Sequence, residues 1–171
     1  MRKNDRTSKK VRALGEKGSV QNQLRYELYT EAFDRIKRGN EQGNYFEVVS
    51  LVDSIITDRL NSLIQHIRKD EDDDYEHQSI GSMVQIFFSE IKERNFDIDP
   101  DYKKLISDIY QTWVQDRNFV AHSFVVVTNA NKIKNKEDRL EILKRCAISG
   151  EEYAKEVTRR TDTIIRDMYR P

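Results

Sequence analysis

The chain has 171 residues, 30 basic and 30 acidic side chains that cancel to zero net charge, 35% charged residues against about 25% in average proteins, and only 6 Gly and 2 Pro. So few turn-formers exclude all-β and collagen-like folds, while 37% hydrophobic residues suffice for one core, so the composition points to a single mostly helical domain. A single cysteine, Cys146, rules out an internal disulfide or a cysteine zinc cage, and no apolar run approaches the roughly 20 residues that cross a bilayer.

Residues 1–18 carry seven basic side chains (Arg2, Lys3, Arg6, Lys9, Lys10, Arg12, Lys17) against Asp5 and Glu16, and read as a basic flexible tail ahead of one helical-bundle domain over 19–171. No apolar stretch follows this basic start as a secretory signal requires, so the expected compartment is a reducing cytoplasm. From Val20 to Ile36 the residues Val20, Leu24, Leu28, Tyr29, Ala32, Phe33 and Ile36 recur at helical spacing, with Gly39 and Gly43 expected to end the first helix. The most apolar segment, Tyr45 to Ile67, places Tyr45, Val49, Val52, Ile56, Leu60, Leu63 and Ile67 on one side and is expected to be the central core helix. An acidic run at 70–76, Asp70 to Glu76, reads as a solvated loop or as a gate that repels RNA.

Ser79 stands where an N-cap should, and Ile80, Met83, Val84, Phe87, Phe88 and Ile91 predict a third helix to about Arg94. Asp99-Pro100 predicts a helix start, followed by Tyr102, Leu105, Ile106, Ile109, Tyr110, Trp113 and Val114 at helical spacing. The β-branched run and asparagines of SFVVVTNANKIKN then read as a helix end and an irregular connection. Lys136 to Ala147 and Glu151 to Arg170 are expected to be two helices, the second restarted by a capping box of Ser149 and Glu152. The fold class is all-α, an up-down bundle of about six helices around one core.

Glycine-rich phosphate loops, H-E-x-x-H, G-x-S-x-G and calcium-loop patterns are all missing from the sequence. What remains are charged residues on faces that should be apolar. Arg117 falls in line with Ile106, Tyr110 and Trp113, where a guanidinium is costly without a partner. One reading pairs it with a carboxylate, Asp53, at the margin of the central helix's apolar face, with a cation–π contact to Trp113 as an addition. The other turns Arg117 to a cleft to bind an anion such as phosphate, with His122 five residues on. Arg plus His is the minimal set for RNA cleavage without a metal: an imidazole takes the proton of a ribose 2′-hydroxyl, and a cation stabilises the phosphoryl oxygens. An unbroken α-helix sets Arg117 and His122 about 140° apart, so the helix is expected to end or bend near Asn118 for both to reach one phosphate. Asn118 would orient the imidazole or donate to the phosphate. Arg59 and His66 satisfy a loose version of the same spacing and read either as edge-of-core residues or as a second catalytic pair, and His77 lies in the acidic run.

The string RNFVAH, Arg117 to His122, resembles the R-x(4–6)-H motif of the HEPN superfamily of small helical bundles, with Asn118 as the polar residue after the arginine and Asp53 as the acid embedded in the preceding long apolar helix. The resemblance implies a homodimer whose two motifs share a cleft, RNA as substrate and no metal or other cofactor. Arg117 would hold the scissile phosphate, His122 would be general base or acid, and Asn118 would support them. It also implies a role in toxin–antitoxin systems or antiviral defence, often with a nucleotidyltransferase-like antitoxin as partner. A non-catalytic helical interaction or nucleotide-binding module is the rival reading.

Overall fold

In the computed structural model the described residues are 20–68, 78–124 and 135–169, and they form five helices with no strand among them. The basic tail, the acidic run with His77 and most of the SFVVVTNANKIKN segment lie outside the described residues. No helix among the described residues is long and apolar enough to cross a membrane.

Helix α1 spans Val20–Gln42 and runs past the point where Gly39 was expected to stop it. Gly39 lets two helices touch instead: a Cβ there would lie 2.6 Å from Cγ2 of Val48. The helix ends at Gly43, whose φ of 79° is left-handed, and the Asn44 amide donates to the Gly39 carbonyl at 2.8 Å, the Schellman arrangement that satisfies a helix C-terminus. Helix α2, Tyr45–Arg68, is the central helix and buries two faces, with Val48, Ile55, Ser62 and Ile64 inside as well as the expected stripe. It needs both because α1, α3 and the last helix all pack on it.

Helix α3, Ile80–Glu93, begins as its sequence predicts, with Ser79 Oγ accepting from the Ser82 amide at 3.2 Å. It closes on Asn95 at φ 48°, with Phe96 N–H donating to Ile91 O at 2.9 Å, a second Schellman end with asparagine in the left-handed position. Helix α4 starts at Pro100–Asp108, where Asp99 accepts from the Asp101 amide at 3.0 Å. It then continues through a π turn at Ile109–Trp113, an α turn at Val114–Asn118 and a second π turn at Phe119–Ser123. It widens where the sequence predicts an end.

The last helix, α5, is one continuous element, Lys136–Met168, capped by Asn135 accepting from the Asp138 amide at 2.7 Å. The two helices expected here are therefore joined, which reduces the expected six to five. Ser149 does not cap: its hydroxyl donates back to the Arg145 carbonyl at 2.8 Å, a bond compatible with a helix interior. Gly150 is buried where α5 meets α2 and α4, and a Cβ there would lie 2.7 Å from Trp113 Nε1 and 3.0 Å from Val52 Cγ1. Helices α4 and α5 run antiparallel, tied from Asp116–Arg145 at one end to Asp99–Arg160 at the other. Helices α2 and α5 run in the same sense, from Val52 beside Gly150 to His66 beside Tyr169.

Candidate functional site

The C-terminal half of α4 crosses the N-terminal half of α2 in the opposite sense, and this crossing gathers the residues singled out by the sequence. Trp113 anchors it. The indole is 2% exposed, fits against Gly150 and donates from Nε1 to the Cys146 carbonyl at 2.8 Å. It makes no cation–π contact with Arg117; the pairs among the described residues are Arg59 over Tyr29 and Arg139 over Phe119. Val114 N–H reaches back to the Ile109 carbonyl across the first π turn, and this extra-wide turn changes the phase of everything that follows.

One turn on, Arg117 Nη2 donates to Asp53 Oδ2 at 2.7 Å and Nη1 to Asn118 Oδ1 at 3.1 Å. The two charged side chains keep 19% and 22% of their surfaces exposed, so the pair is partly buried and still reached by solvent. Asn118 turns its carbonyl oxygen to the arginine, so it positions Arg117 and does not spend that acceptor on the imidazole. The remaining N–H groups of Arg117 have no partner among the described residues, and Asp53 Oδ1 is buried without one. Asp116, the preceding residue, is held at the surface by Arg145 through two nitrogens at 2.8–3.0 Å.

His122 lies in the second π turn, exposed, with no hydrogen bond or ion pair to a described residue. Residues five apart diverge by about 140° on an α-helix. A turn closed by i→i+5 hydrogen bonds has more residues per turn and reduces that divergence. The second π turn thus supplies, without ending the helix, part of the rotation that the sequence reading required of a break.

Arg59 and His66 belong to the interior, not to this surface. Arg59 is 1% exposed and bonds Asp58 Oδ2 at 2.6 Å and Asp162 Oδ1 at 3.2 Å beneath the Tyr29 ring. His66 is 6% exposed and donates from Nδ1 to the Ser62 carbonyl at 2.6 Å, which sets its tautomer. Their burial favours the core reading of the two. Burial alone would lower the Arg59 pKa, but Tyr29, Asp58 and Asp162 outweigh it and hold the guanidinium firmly charged. Asp58, despite its own burial, is kept below the usual carboxylate range by Arg59, Arg25 and the Tyr29 hydroxyl, which donates to it at 2.5 Å. Sequence reasoning missed this network because Arg25, Tyr29, Asp58 and Asp162 lie on three helices and only Arg59, inside an apolar run, signals it.

Two further groups at the crossing went unread in the sequence. Phe46, at the start of α2, is 50% exposed and meets Phe124, just past α4, with ring centroids 4.9 Å apart and planes at 83°. Arg139 on α5 donates to the Phe124 carbonyl at 2.5 Å and so satisfies part of the C-terminal end of α4. Among the described residues no group of three or more His, Cys, Asp or Glu side chains is placed to hold a metal ion. Comparison with known proteins finds no family model that matches the chain, and no curated protein or solved structure matches it significantly.

Proposed function

We propose that the protein is a HEPN-like, metal-independent endoribonuclease. The observation that carries this reading is Arg117 itself: two neighbours, Asp53 and Asn118, orient the guanidinium while its other N–H groups have no partner among the described residues, and an exposed histidine follows on the next turn. A planar guanidinium fixed on one edge is suited to hold a phosphate on the other. In the proposed reaction one imidazole takes the proton of a 2′-hydroxyl, the 2′-oxygen bonds to the adjacent phosphorus, and the bond to the 5′-oxygen breaks. That oxygen takes a proton from a second imidazole, leaving a 2′,3′-cyclic phosphate and a 5′-hydroxyl. Arg117 stabilises the charge on the phosphoryl oxygens.

Among the described residues His122 is the only histidine at this crossing, so the second imidazole is assigned to His122 of another copy in a homodimer. The remaining features of the reading follow the resemblance: RNA as substrate, a cytoplasmic toxin–antitoxin or antiviral defence role, and a nucleotidyltransferase-like antitoxin as partner. The rival, a non-catalytic interaction or nucleotide-binding module, is favoured by the same Arg117–Asp53 bond if that bond serves only to join α4 to α2.

Incubation with mixed cellular RNA in EDTA separates them. The wild-type chain is expected to cut and to leave cyclic-phosphate or 3′-phosphate ends, and Arg117→Ala and His122→Ala to abolish cutting. Cleavage that persists in both variants, or that needs added metal, overturns the proposal. Oligonucleotide or nucleotide binding without cleavage supports the rival.

A further inference from the structure

We infer that Arg139 is a positioning residue for His122: from α5 it grips both ends of the π turn that carries the histidine. The grip itself is a matter of contacts; that a fixed His122 serves proton transfer rests on the nuclease reading above.

The turn needs holding for two reasons. Phe119–Ser123 closes α4, and the carbonyls of a helix's last turn have no partner within the helix. Closure by i→i+5 hydrogen bonds is also the rare form of helix, kept in single turns. His122 is exposed and no described residue bonds its ring, so among the described residues the backbone beneath it is what places the imidazole. Fraying of that backbone moves the ring relative to Arg117, whose own position is set one turn earlier by Asp53 and Asn118.

Arg139 meets both ends of the turn. Its guanidinium carbon lies 5.7 Å from the centre of the Phe119 ring, at the first residue of the turn, and its Nη1 donates at 2.5 Å to the carbonyl of Phe124, the residue after the last. The first contact is a cation over a ring and the second a charge-assisted hydrogen bond. The root of the side chain is fixed as well, since Arg139 stands at the start of α5, where Asn135 caps the helix through the Asp138 amide at 2.7 Å. Arg139 is buried, and a guanidinium taken out of water is costly unless its donors are engaged. It is the third place at which α5 holds α4: the Cys146 carbonyl takes the Trp113 indole, Arg145 takes Asp116, and Arg139 takes the turn of His122. The first two precede Arg117 along α4, and the third lies beyond it. From the other side, the Phe124 ring packs edge-on against Phe46 of α2 at 4.9 Å, so the end of α4 is expected to stay docked when Arg139 is changed.

The test compares the full wild-type chain with Arg139→Gln, which removes the charge and the flat guanidinium, by amide hydrogen exchange and by RNA cleavage kinetics. Exchange at residues 119–124 is expected to quicken about 10-fold or more while the amides of α2 stay as they were. The kcat for RNA is expected to fall about 10- to 100-fold at unchanged KM, because Arg117 still holds the phosphate while the imidazole is misplaced. Should Arg139→Gln fail to fold, Arg139→Lys keeps the charge and a donor but loses the flat face toward Phe119, and exchange at the turn should then rise about 2- to 5-fold.

Exchange that quickens equally through α2, α4 and α5, or a raised KM with kcat retained, makes Arg139 a residue of the fold or of RNA binding and overturns the inference. Unchanged exchange with unchanged kcat, in whichever variant folds, overturns it too, and cleavage that still depends on His122 then leaves the nuclease standing. A turn loosened in Arg139→Gln in a protein whose wild-type chain cuts no RNA supports the placement of His122 by Arg139 and overturns the nuclease.

Discussion

Replacing Gly150 by alanine measures how tightly α5 holds the helix that carries Arg117. A glycine inside an exposed helix gains about 1 kcal/mol on becoming alanine, because the unfolded chain loses freedom and helix propensity rises. At Gly150 the added methyl would lie 2.7 Å from Nε1 and 3.2 Å from Cε2 of Trp113, and 3.0 Å from Cγ1 of Val52. Non-bonded carbons rest about 3.5–4.0 Å apart, so a neighbour must move. Trp113 has little room to do so, being 2% exposed and tied to the Cys146 carbonyl at 2.8 Å. Overpacking of this kind costs about 1–3 kcal/mol and a weakened indole hydrogen bond about 1 more, so after the propensity gain the net loss is about 1–3 kcal/mol. For a domain of this size each kcal/mol lowers Tm by about 2–4 °C. Urea denaturation should therefore show a lower midpoint at unchanged slope, and RNA cleavage should fall with it because Arg117 follows Trp113 by one turn. A Gly150→Ala protein as stable as the parent, or more so, refutes this account of the α4–α5 contact.

Arg117→Ala should lower cleavage by about 10²-fold or more while leaving the circular dichroism spectrum intact. A double-mutant cycle of Arg117→Ala with Asp53→Ala, read by urea melts, should give a coupling of about 0.5–3 kcal/mol, and strict additivity would remove the ion pair from the argument. Arg59→Ala removes the buried guanidinium that Asp58 and Asp162 share and should cost about 3–5 kcal/mol; a loss below about 1 would show that the network is dispensable. The folded-state pKa of Asp58 lies below its ordinary 3.8, so its stabilisation is fully present above that value and disappears as pH falls through the lower folded value. Asp58→Asn should accordingly flatten the acid limb of the urea midpoint against pH, and an unchanged acid limb would contradict the assignment. Burial pushes the Cys146 thiol from 9.0 up to about 12, so the native chain keeps it protonated while the unfolded chain ionises first, and stability should decline as pH rises through 9.0. Thiol labelling at pH 8 should track unfolding in urea, and rapid labelling of native protein would show that Cys146 is not enclosed.

Where a feature depends on neighbours in the chain, the sequence was sufficient. Ser79 and Asp99-Pro100 start α3 and α4 because capping is made by a side chain two or three residues from the amide it serves. The stripe from Val49 to Ile67 marked α2 as central, and the all-α class followed from composition and period. Arg117 stood out because a charge in an apolar stripe is costly, and Asp53 was named as a possible partner on the same ground.

The tertiary structure decided whatever depends on groups brought together from a distance. Gly39 and Gly150 look like helix breakers in one dimension, but each is a place where a neighbouring helix comes too close for a Cβ. Ser149 with Glu152 matches a capping box, yet its hydroxyl returns to Arg145 because the helix is held through that point by Trp113 and Val52. The π turns of α4 carry no sequence signature; they are where a helix adjusts its phase so that Trp113 meets Cys146, Arg117 meets Asp53 and His122 is exposed. Of the two loosely spaced Arg–His pairs, tertiary burial turned Arg59 and His66 inward and left Arg117 and His122 at the surface, because spacing sets only the angle between two side chains, whereas the helices packed around them set what those side chains face.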